Sequence, residues 1–294
     1  MKVGVCGIGR MGAAIAERLI ETGHDVRTWN RTAASCEPLK AMGAKVADSP
    51  ADLAETTDLV LVIVANDAAQ SAVYGAPNGL ASVNLDGRLI IDMSTVSQES
   101  SRAAAERIAA ASGTFLECPV GGTVTPAKTG KLLGLAGGDI DAFERAKPLL
   151  ENLCRRIEHV GPVGSGAAAK LAINLPLAVY WEALGEALAI AVAGGISKEL
   201  AIDLLGDSTG AIPVAKMRIP AILDAIDGEE AAPPAFDIAS MTKDLGLMVA
   251  TAEKFGVTAP VAASAHDAYK QAREDGWADR DASTQAAWRV RSTS

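Results

Sequence analysis

The sequence predicts two domains: an α/β domain with a mostly parallel, doubly wound sheet, followed by an all-α domain, joined by a long interdomain helix. Residues 1–162 alternate short apolar runs with helical patterns, which is typical of βαβ units. Residues 163–294 show helical periodicity and no strand pattern. Residues 164–194 are apolar at almost every helical position, which indicates one long helix at the start of the second domain. This organisation predicts a cleft between the two domains.

Length and composition exclude several classes of protein. A chain of 294 residues with 49% hydrophobic content can bury a large core. The net charge is -9 and the basic residues form no run, so the sequence offers no footprint for nucleic acid or for an anionic membrane surface. The N-terminus enters an apolar strand at once, and no apolar run reaches the ~18 residues of a transmembrane helix, so we expect a soluble cytoplasmic protein.

The cysteines and histidines are widely scattered and include no CxxC pair. We therefore expect neither a disulfide framework nor a bound metal, and we interpret the thiols as buried and free. These residues are Cys6, Cys36, Cys118, Cys154, His24, His159 and His266.

A glycine-rich motif follows the first predicted strand, residues 2–7, and precedes a helical pattern that Gly23 closes. In this context glycines permit a tight turn, a close approach of the backbone to a pyrophosphate, and packing of helix on strand. The helix N-terminus supplies free N–H groups. We therefore predict a dinucleotide-binding Rossmann turn rather than a plain structural turn. Its residues are Gly7, Ile8, Gly9, Arg10, Met11 and Gly12.

The second predicted strand, residues 25–29, is followed by Asn30, Arg31 and Thr32. An NAD site usually carries an acidic residue here to hold the ribose 2′-hydroxyl, whereas an arginine between two neutral polar side chains suits the 2′-phosphate of NADP. We therefore expect NADP(H) to be preferred and NAD(H) to bind more weakly. The alternative is that Arg31 is an ordinary solvated loop arginine.

Two further strands are predicted at residues 58–64 and 88–92, and both end at the ligand-binding edge of a parallel sheet. The residues that follow them are candidates for cofactor contacts. Hydroxyl groups after the second of these strands would meet a nicotinamide or a substrate, or cap the next helix. The candidates are Val64, Ala65, Asn66, Ser94 and Thr95.

A second glycine-rich segment follows a strand that ends at residues 118–120. Gly121 and Gly122 expose backbone N–H groups, as in a small anion-binding concavity, and Thr123 adds a hydroxyl. The alternative is a flexible hairpin connection to the strand predicted at 132–136. Cys118 is interpreted as a buried strand thiol rather than a reactive one, because nothing cationic lies beside it in the sequence.

The long apolar helix carries Lys170 near its start, with Asn174 one turn further on the same face. Burying an ammonium group is costly, which favours a site that uses the charge. The alternative is a connector helix whose lysine extends to water. We expect this helix to be buried on most of its faces. Further helices are predicted at 198–206, 214–227 and 236–255, the last containing Lys243, with a polar loop at 229–234.

Six blocks of sequence, in order along the whole chain, resemble those of the β-hydroxyacid dehydrogenases, the family that contains 3-hydroxyisobutyrate dehydrogenase and tartronate semialdehyde reductase. The blocks are GIGRMG at 7–12, NRT at 30–32, DMST at 92–95, PVGGT at 119–123, GSGAAAKLAIN at 164–174 and KDLGL at 243–247.

The resemblance implies that Lys170 is the catalytic lysine, that Asn174 orients the substrate, and that the loop at 121–123 binds the substrate carboxylate. It also implies that Lys243 reaches over the cofactor and substrate. The motif at 30–32 resembles the NADP-preferring branch.

This chain departs from the family pattern in two places. After PV the family usually has serine and then two glycines, where this chain has Gly121, Gly122 and Thr123. It usually has two asparagines where this chain has Ile173 and Asn174. Thr123 or Thr125 could replace the missing hydroxyl contact, with backbone N–H groups supplying the rest.

Together these features predict NADPH-dependent hydride transfer between the nicotinamide and a small aldehyde acid or β-hydroxy acid, with lysine as general acid and base. The apolar helical half leads us to expect a homodimer or homotetramer. The alternatives are an enzyme like the imine reductases, a phosphogluconate-type dehydrogenase, or a non-catalytic NADP-binding protein.

Overall fold

The protein divides into two compact units, one comprising Met1–Lys170 and the other beginning at Leu171. A computed structural model describes residues 1–229 and 233–293. Of the loop predicted at 229–234, residues 230–232 therefore lie outside the described residues. The predicted domain boundary at 162/163 comes just before the helix that runs from the first unit into the second.

The first unit contains a sheet of nine strands. In chain order these are β1 (Lys2–Cys6), β2 (Asp25–Trp29), β3 (Lys45–Val46), β4 (Leu59–Val62), β5 (Leu89–Asp92), β6 (Thr114–Glu117), β7 (Val120–Gly121), β8 (Leu132–Gly138) and β9 (Cys154–Gly161).

The strands are arranged in the order β3-β2-β1-β4-β5-β6-β8-β7, with β9 beside β8. The pairs among β1 to β6 are all parallel, and β8 runs antiparallel to β6 and β7. The order 3-2-1-4-5-6 is that of a doubly wound dinucleotide-binding fold, so the predicted fold class is confirmed. The carboxyl ends of β1, β2, β4 and β5 consequently lie along one edge of the sheet.

Helices cover both faces of this sheet. They are α1 (Arg10–Glu21), α2 (Glu37–Ala41), α3 (Pro50–Thr56), α4 (Asp67–Gly75), α5 (Gln98–Ala110), α6 (Val124–Lys128) and α7 (Ile140–Leu150). The sequence did not predict β3, α2, α3, α4 or α6.

Side chains that alternate along β1 enter two different cores. Val3 and Val5 pack in a cluster with Ile15 of α1, whereas Cys6 joins a second cluster with Leu53 of α3. A strand presents successive side chains to opposite faces, and both faces are apolar here because both are covered. Full burial of a leucine or valine contributes about 1.5–3 kcal/mol, so these clusters fix the strand order that aligns the ligand edge.

The long helix α8 (Ser165–Ala193) begins in the first unit and continues into the second, close to the range predicted. The second unit adds α9 (Lys198–Asp207), α10 (Ala215–Asp227), α11 (Ile238–Lys254), α12 (Pro260–Ala272) and α13 (Gln285–Ser292), with no strand among its described residues.

The burial predicted for α8 is wrong. Only 33% of its most apolar 18-residue window is buried within the chain, and Ile190 is 75% exposed. By length and composition α8 is also apolar enough to cross a membrane, contrary to the expectation that no segment reaches that length. A single such helix is weak evidence for a membrane span, since core helices share these properties. In α8, Leu171, Trp181 and Leu188 pack in the core of the second unit.

Candidate active site

Three glycines after β1 meet three different steric demands. Gly7 has φ +101°, and a Cβ there would lie 2.2 Å from the carbonyl oxygen of Ile63. A Cβ on Gly12 would lie 1.9 Å from the carbonyl oxygen of Gly7, so α1 packs against the turn only because this residue is glycine. A Cβ on Gly9 would meet nothing within 4 Å. Gly9 therefore leaves the backbone open on its outer side, as the approach of a pyrophosphate requires.

The N-terminus of α1 offers its N–H groups without a side-chain cap. Its N-cap residue is Gly9, which has no side chain to form a cap hydrogen bond. By contrast, Ser49, Asn66 and Ser97 cap α3, α4 and α5 through their side-chain oxygens. A helix N-terminus whose N-cap residue has no side chain suits an anion such as phosphate, because the helix dipole is positive at that end.

Asn30 joins the glycine turn to the segment that follows β2. Its Oδ1 accepts from the backbone N–H of Ile8 at 3.0 Å, and its Nδ2 donates to the carbonyl oxygen of Thr32 at 3.0 Å. The amide is thus used within the protein to fix the two loops against each other. Arg31 lies between these anchored residues and is exposed at the same edge of the sheet.

The ends of β4 and β5 are tied together by a polar network. Ser94 Oγ accepts from the N–H of Val64 at 2.9 Å, and Ser94 N–H donates to Asp92 Oδ1 at 2.9 Å. Asp92 Oδ2 accepts from Gln70 Nε2 and Tyr74 OH, each at 2.8 Å. Burial raises the pKa of Asp92, although these hydrogen bonds act in the opposite direction. The candidate segments at 64–66 and 94–95 therefore have fixed backbones.

Two polar side chains in these segments serve as helix caps. Asn66 caps α4 by accepting from the N–H of Ala69 at 2.9 Å, and Ser97, rather than Ser94 or Thr95, caps α5. Helix capping, the alternative role considered for the hydroxyls of Ser94 and Thr95, is therefore performed by their neighbour Ser97. Thr95 is half-buried at the edge of the sheet.

The segment at 121–123 connects β7 to the short helix α6. Gly122 has φ +126° and is exposed, which explains why glycine occupies this position. Val124 and Thr125 form the first turn of α6. Gly121 ends β7, and Gly122 and Thr123 link it to α6, where Thr123 is the N-cap residue and its side chain makes no cap hydrogen bond.

The start of α8 is held by Glu117, which the sequence did not single out. Glu117 Oε1 accepts from the N–H groups of Gly164 and Gly166 at 2.7 Å each, and from that of Ala167 at 3.4 Å. Ser101 Oγ donates to the other carboxylate oxygen. Burial raises the pKa of Glu117, while these donors lower it.

Lys170 follows the first turn of α8 and is only 7% exposed. The alternative in which this lysine extends freely to water does not fit that burial. Asn174 lies one turn further along the same helix.

In the second unit, Asn174 belongs to a polar group that includes both residues at the start of the KDLGL block. Asn174 Nδ2 lies 3.4 Å from Asp244 Oδ2, and Lys243 Nζ lies 2.9 Å from Asp244 Oδ1. Asp244 is 2% exposed, so it holds two polar partners from inside the unit. The sequence drew attention to Lys243 and missed a role for Asp244, because the burial of an acid is not visible in a helical pattern.

All four cysteines are free and buried, as predicted. Burial raises the pKa of Cys118 and raises that of Cys154 to about 12, so both remain neutral thiols at physiological pH. Cys118 therefore lacks the thiolate character that a nucleophile needs.

Two family models match the chain. One describes the NAD binding domain of 6-phosphogluconate dehydrogenase and matches residues 2–161. The other describes the NAD-binding region of NADP-dependent 3-hydroxyisobutyrate dehydrogenase and matches residues 164–288. The junction between the two models falls at the turn before α8.

Individual relatives match over nearly the whole length. Glyoxylate/succinic semialdehyde reductase 1 of Arabidopsis thaliana is 34% identical over 281 residues, which are 96% of this chain and 96% of the relative. The solved structure of Mycobacterium tuberculosis 3-hydroxyisobutyrate dehydrogenase with L-serine is 29% identical, with a TM-score of 0.83 and 97% of each chain covered. That of 3-hydroxyisobutyrate dehydrogenase from Salmonella typhimurium is 26% identical, with a TM-score of 0.85, covering 97% of this chain and 99% of that one.

Proposed function

Since this chain belongs to the β-hydroxyacid dehydrogenase family, we propose that it is an NADP-dependent oxidoreductase that interconverts a small aldehyde acid and the corresponding β-hydroxy acid. The observation that carries the proposal is Lys170, a buried cation after the first turn of α8, with Asn174 one turn away on the same helix. A reaction that develops negative charge on a carbonyl oxygen explains why the helix keeps this charge.

The residues at the carboxyl edge of the sheet fit a bound dinucleotide. The open backbone at Gly9 and the uncapped N-terminus of α1 suit its pyrophosphate, and Arg31 suits a 2′-phosphate. No acidic side chain immediately follows β2 to favour the unphosphorylated ribose. When bound, the nicotinamide supplies or accepts the hydride at the substrate carbon. The remaining cofactor contacts are assigned to Ile8, Arg10, Met11, Asn30, Thr32, Val64, Ala65, Asn66, Ser94, Thr95 and Lys243.

Lys170 acts as the general acid in reduction and as the general base in oxidation. Its ammonium group donates a proton to the substrate oxygen as negative charge grows there, and takes the proton back in the reverse direction. The amide of Asn174 orients the substrate without adding charge. Asp244, which contacts both Asn174 and Lys243, fixes these two side chains within the second unit.

The substrate carboxylate binds the turn formed by Gly121, Gly122 and Thr123. The N–H groups of this turn and the Thr123 hydroxyl, which makes no cap hydrogen bond to α6, are the groups that would bind the anion. Because the Arabidopsis relative is named for glyoxylate and succinic semialdehyde, these two aldehyde acids are the first substrates to measure.

A panel of aldehyde acids read by NADPH consumption tests the proposed function. Glyoxylate, succinic semialdehyde, tartronate semialdehyde and methylmalonate semialdehyde cover the expected range of length and branching. We expect turnover of at least one of them with NADPH and slower turnover with NADH. Quenching of protein fluorescence by NADPH with no turnover across the panel would instead indicate a non-catalytic NADP-binding protein.

The second unit supports association with a further copy of the chain. Apolar side chains are strongly exposed on several of its helices, including Ile190 (75%), Met217 (73%), Val261 (59%) and Leu204 (55%). Exposed apolar surface of this kind is typical of subunit interfaces. Light scattering during size-exclusion chromatography should give a mass of two or four chains, and a monomer at micromolar concentration would contradict this proposal.

A further inference from the structure

We propose that Glu117 is a positioning residue that holds the first turn of α8 and thereby sets the location of Lys170. It is a carboxylate from the end of β6, 2% exposed. Its four donors come from segments distant in sequence, the nearest being Ser101 on α5. The inference rests on the proposed function, because it assigns Glu117 a part in the reaction of Lys170.

Glu117 takes the role of an N-cap side chain for α8. The first N–H groups of a helix have no partner within the helix and normally receive a side-chain oxygen from the residue just before it. At α8 that residue is Gly164, which has no side chain, and Glu117 Oε1 receives three N–H groups of this turn instead. The negative carboxylate also faces the positive end of the helix dipole.

Two glycines make room for this carboxylate, and a third permits the turn before α8. A Cβ on Gly137 would lie 2.4 Å from Glu117 Oε1, and a Cβ on Gly166 would lie 3.0 Å from the same atom and 2.5 Å from the carbonyl oxygen of Leu135. Gly164 has φ +100°, and a Cβ there would lie 2.9 Å from the guanidinium group of Arg102. The close approach of β6, β8 and α8 is therefore built around the carboxylate.

The same residue sets two functional segments relative to each other. Glu117 ends β6, and the proposed carboxylate-binding turn begins four residues later at Gly121. Glu117 also accepts hydrogen bonds from the turn that precedes Lys170. A small shift of a reacting group can cost ~10²-fold in rate. By fixing these two segments relative to each other, Glu117 therefore affects the reaction rate as well as stability.

A matched pair of substitutions tests the proposal. Glu117→Gln keeps an oxygen acceptor for the backbone N–H groups, and its amide can donate to the Ser101 hydroxyl. Glu117→Met has similar bulk and suits a buried position, but offers no such acceptor. We expect Glu117→Met to lower kcat by about 10- to 100-fold with the KM for NADPH changed less than about twofold. Glu117→Gln should recover most of that loss, and Ser101→Ala, which leaves the Oε1 contacts in place, should change kcat less than Glu117→Met.

Amide hydrogen exchange gives a readout that needs no substrate. In the wild-type protein the N–H groups of Gly166 and Ala167 should be protected, and in Glu117→Met exchange should accelerate in the segment 164–170. If Glu117→Met fails to fold, protection of these amides in wild type and in Glu117→Gln still decides the question. Rapid exchange of both amides in the wild-type protein would refute the proposal.

The outcomes separate this inference from the proposed function. A folded Glu117→Met protein with wild-type kcat on an aldehyde that the wild type reduces would overturn the positioning role alone. If the wild type reduces no aldehyde in the panel, the proposed function fails and with it the catalytic part of this inference, while the exchange data show whether Glu117 holds the turn.

Discussion

The helices α1 and α8 both begin after glycine-containing turns, and they differ in what meets their N-termini. At α1 the N-cap residue is Gly9, which has no side chain to form a cap hydrogen bond. At α8 the residue before the helix is Gly164, and the buried carboxylate of Glu117 accepts three N–H groups of the turn. The same backbone physics therefore has two outcomes. The first helix leaves its positive end for a negatively charged ligand, whereas the second has that end occupied by the protein's own anion.

The glycines of the two turns leave space for different purposes. A Cβ on Gly9 would point into open space, but a Cβ on Gly166 would lie 2.5 Å from the carbonyl oxygen of Leu135. Glycine thus admits a ligand at α1 and a neighbouring strand at α8. A glycine-rich segment before a helix is consequently insufficient to assign a phosphate site, because the nearest acceptor decides the role.

The largest effect on kcat is expected from a substitution on α8, the helix whose N-terminus is held by Glu117. Lys170→Ala should lower kcat by ~10²–10⁴-fold, the usual contribution of a general acid, because the proton donor for the substrate oxygen is removed. NADPH affinity should change little. Steady-state kinetics, NADPH titration and a thermal melt on the same preparation measure the three quantities.

A surface lysine provides the control for that substitution. Lys216 pairs with Asp207 on the exposed side of the second unit, and Lys216→Ala should retain wild-type kinetics. A folded Lys170→Ala protein that binds NADPH and reduces its aldehyde at the wild-type rate would remove the catalytic assignment.

Substitution of glycine by alanine tests whether the N-terminus of α1 binds the cofactor. Gly9→Ala should leave the melting temperature nearly unchanged, because its Cβ meets no protein atom within 4 Å. It should weaken NADPH binding at least about tenfold, or ~1.4 kcal/mol, if a pyrophosphate approaches this backbone. Isothermal titration with NADPH measures the change.

Gly12→Ala is the contrasting variant. Its Cβ would lie 1.9 Å from the carbonyl oxygen of Gly7, so packing of α1 must shift. We expect overpacking to cost about 1–3 kcal/mol of stability, together with weaker NADPH binding. If Gly9→Ala bound NADPH as tightly as wild type, the open end of α1 would have no role in binding the cofactor.

A smaller effect is expected from Arg31, which extends the binding edge beyond α1. Arg31→Ala should weaken NADPH binding by about tenfold, since a charge-assisted contact to the 2′-phosphate is lost. NADH lacks that phosphate and should bind almost as before, which makes it the internal control. Equal losses for both cofactors would show that Arg31 only supports the loop that Asn30 anchors.

Local patterns were sufficient to predict much of the fold. The range 25–29 matched β2, and the range 164–194 contained α8, because strand alternation and continuous apolar character can be read within a few residues. The elements β3, α2 and α3 were missed. They are short, with two to seven residues each, and they form against the rest of the sheet rather than from a strong periodicity of their own.

The candidate site was predicted less completely than the fold. The glycine turn and Lys170 stand in recognisable blocks, but the backbone partners of Glu117 at the start of α8 lie 47 to 50 residues away, and no local pattern connects them. The extent to which α8 is buried also could not be predicted from the sequence. An apolar helix face has the same sequence signature whether its own chain or another copy covers it.

The smallest effect is expected from a substitution of Cys118, the neighbour of Glu117. This substitution tests whether the start of α8 depends on the carboxylate of Glu117 or on the packing around it. Cys118 is fully buried, and burial raises its pKa, so the thiol is neutral and cannot act as a nucleophile at physiological pH. Cys118→Ala should therefore keep kcat within about twofold of wild type and cost about 1 kcal/mol of stability through the small cavity it leaves. Kinetics together with a urea denaturation curve provide both values. If Cys118→Ala lost as much kcat as Glu117→Met while remaining folded, packing around β6, rather than the hydrogen bonds of the carboxylate, would control the start of α8.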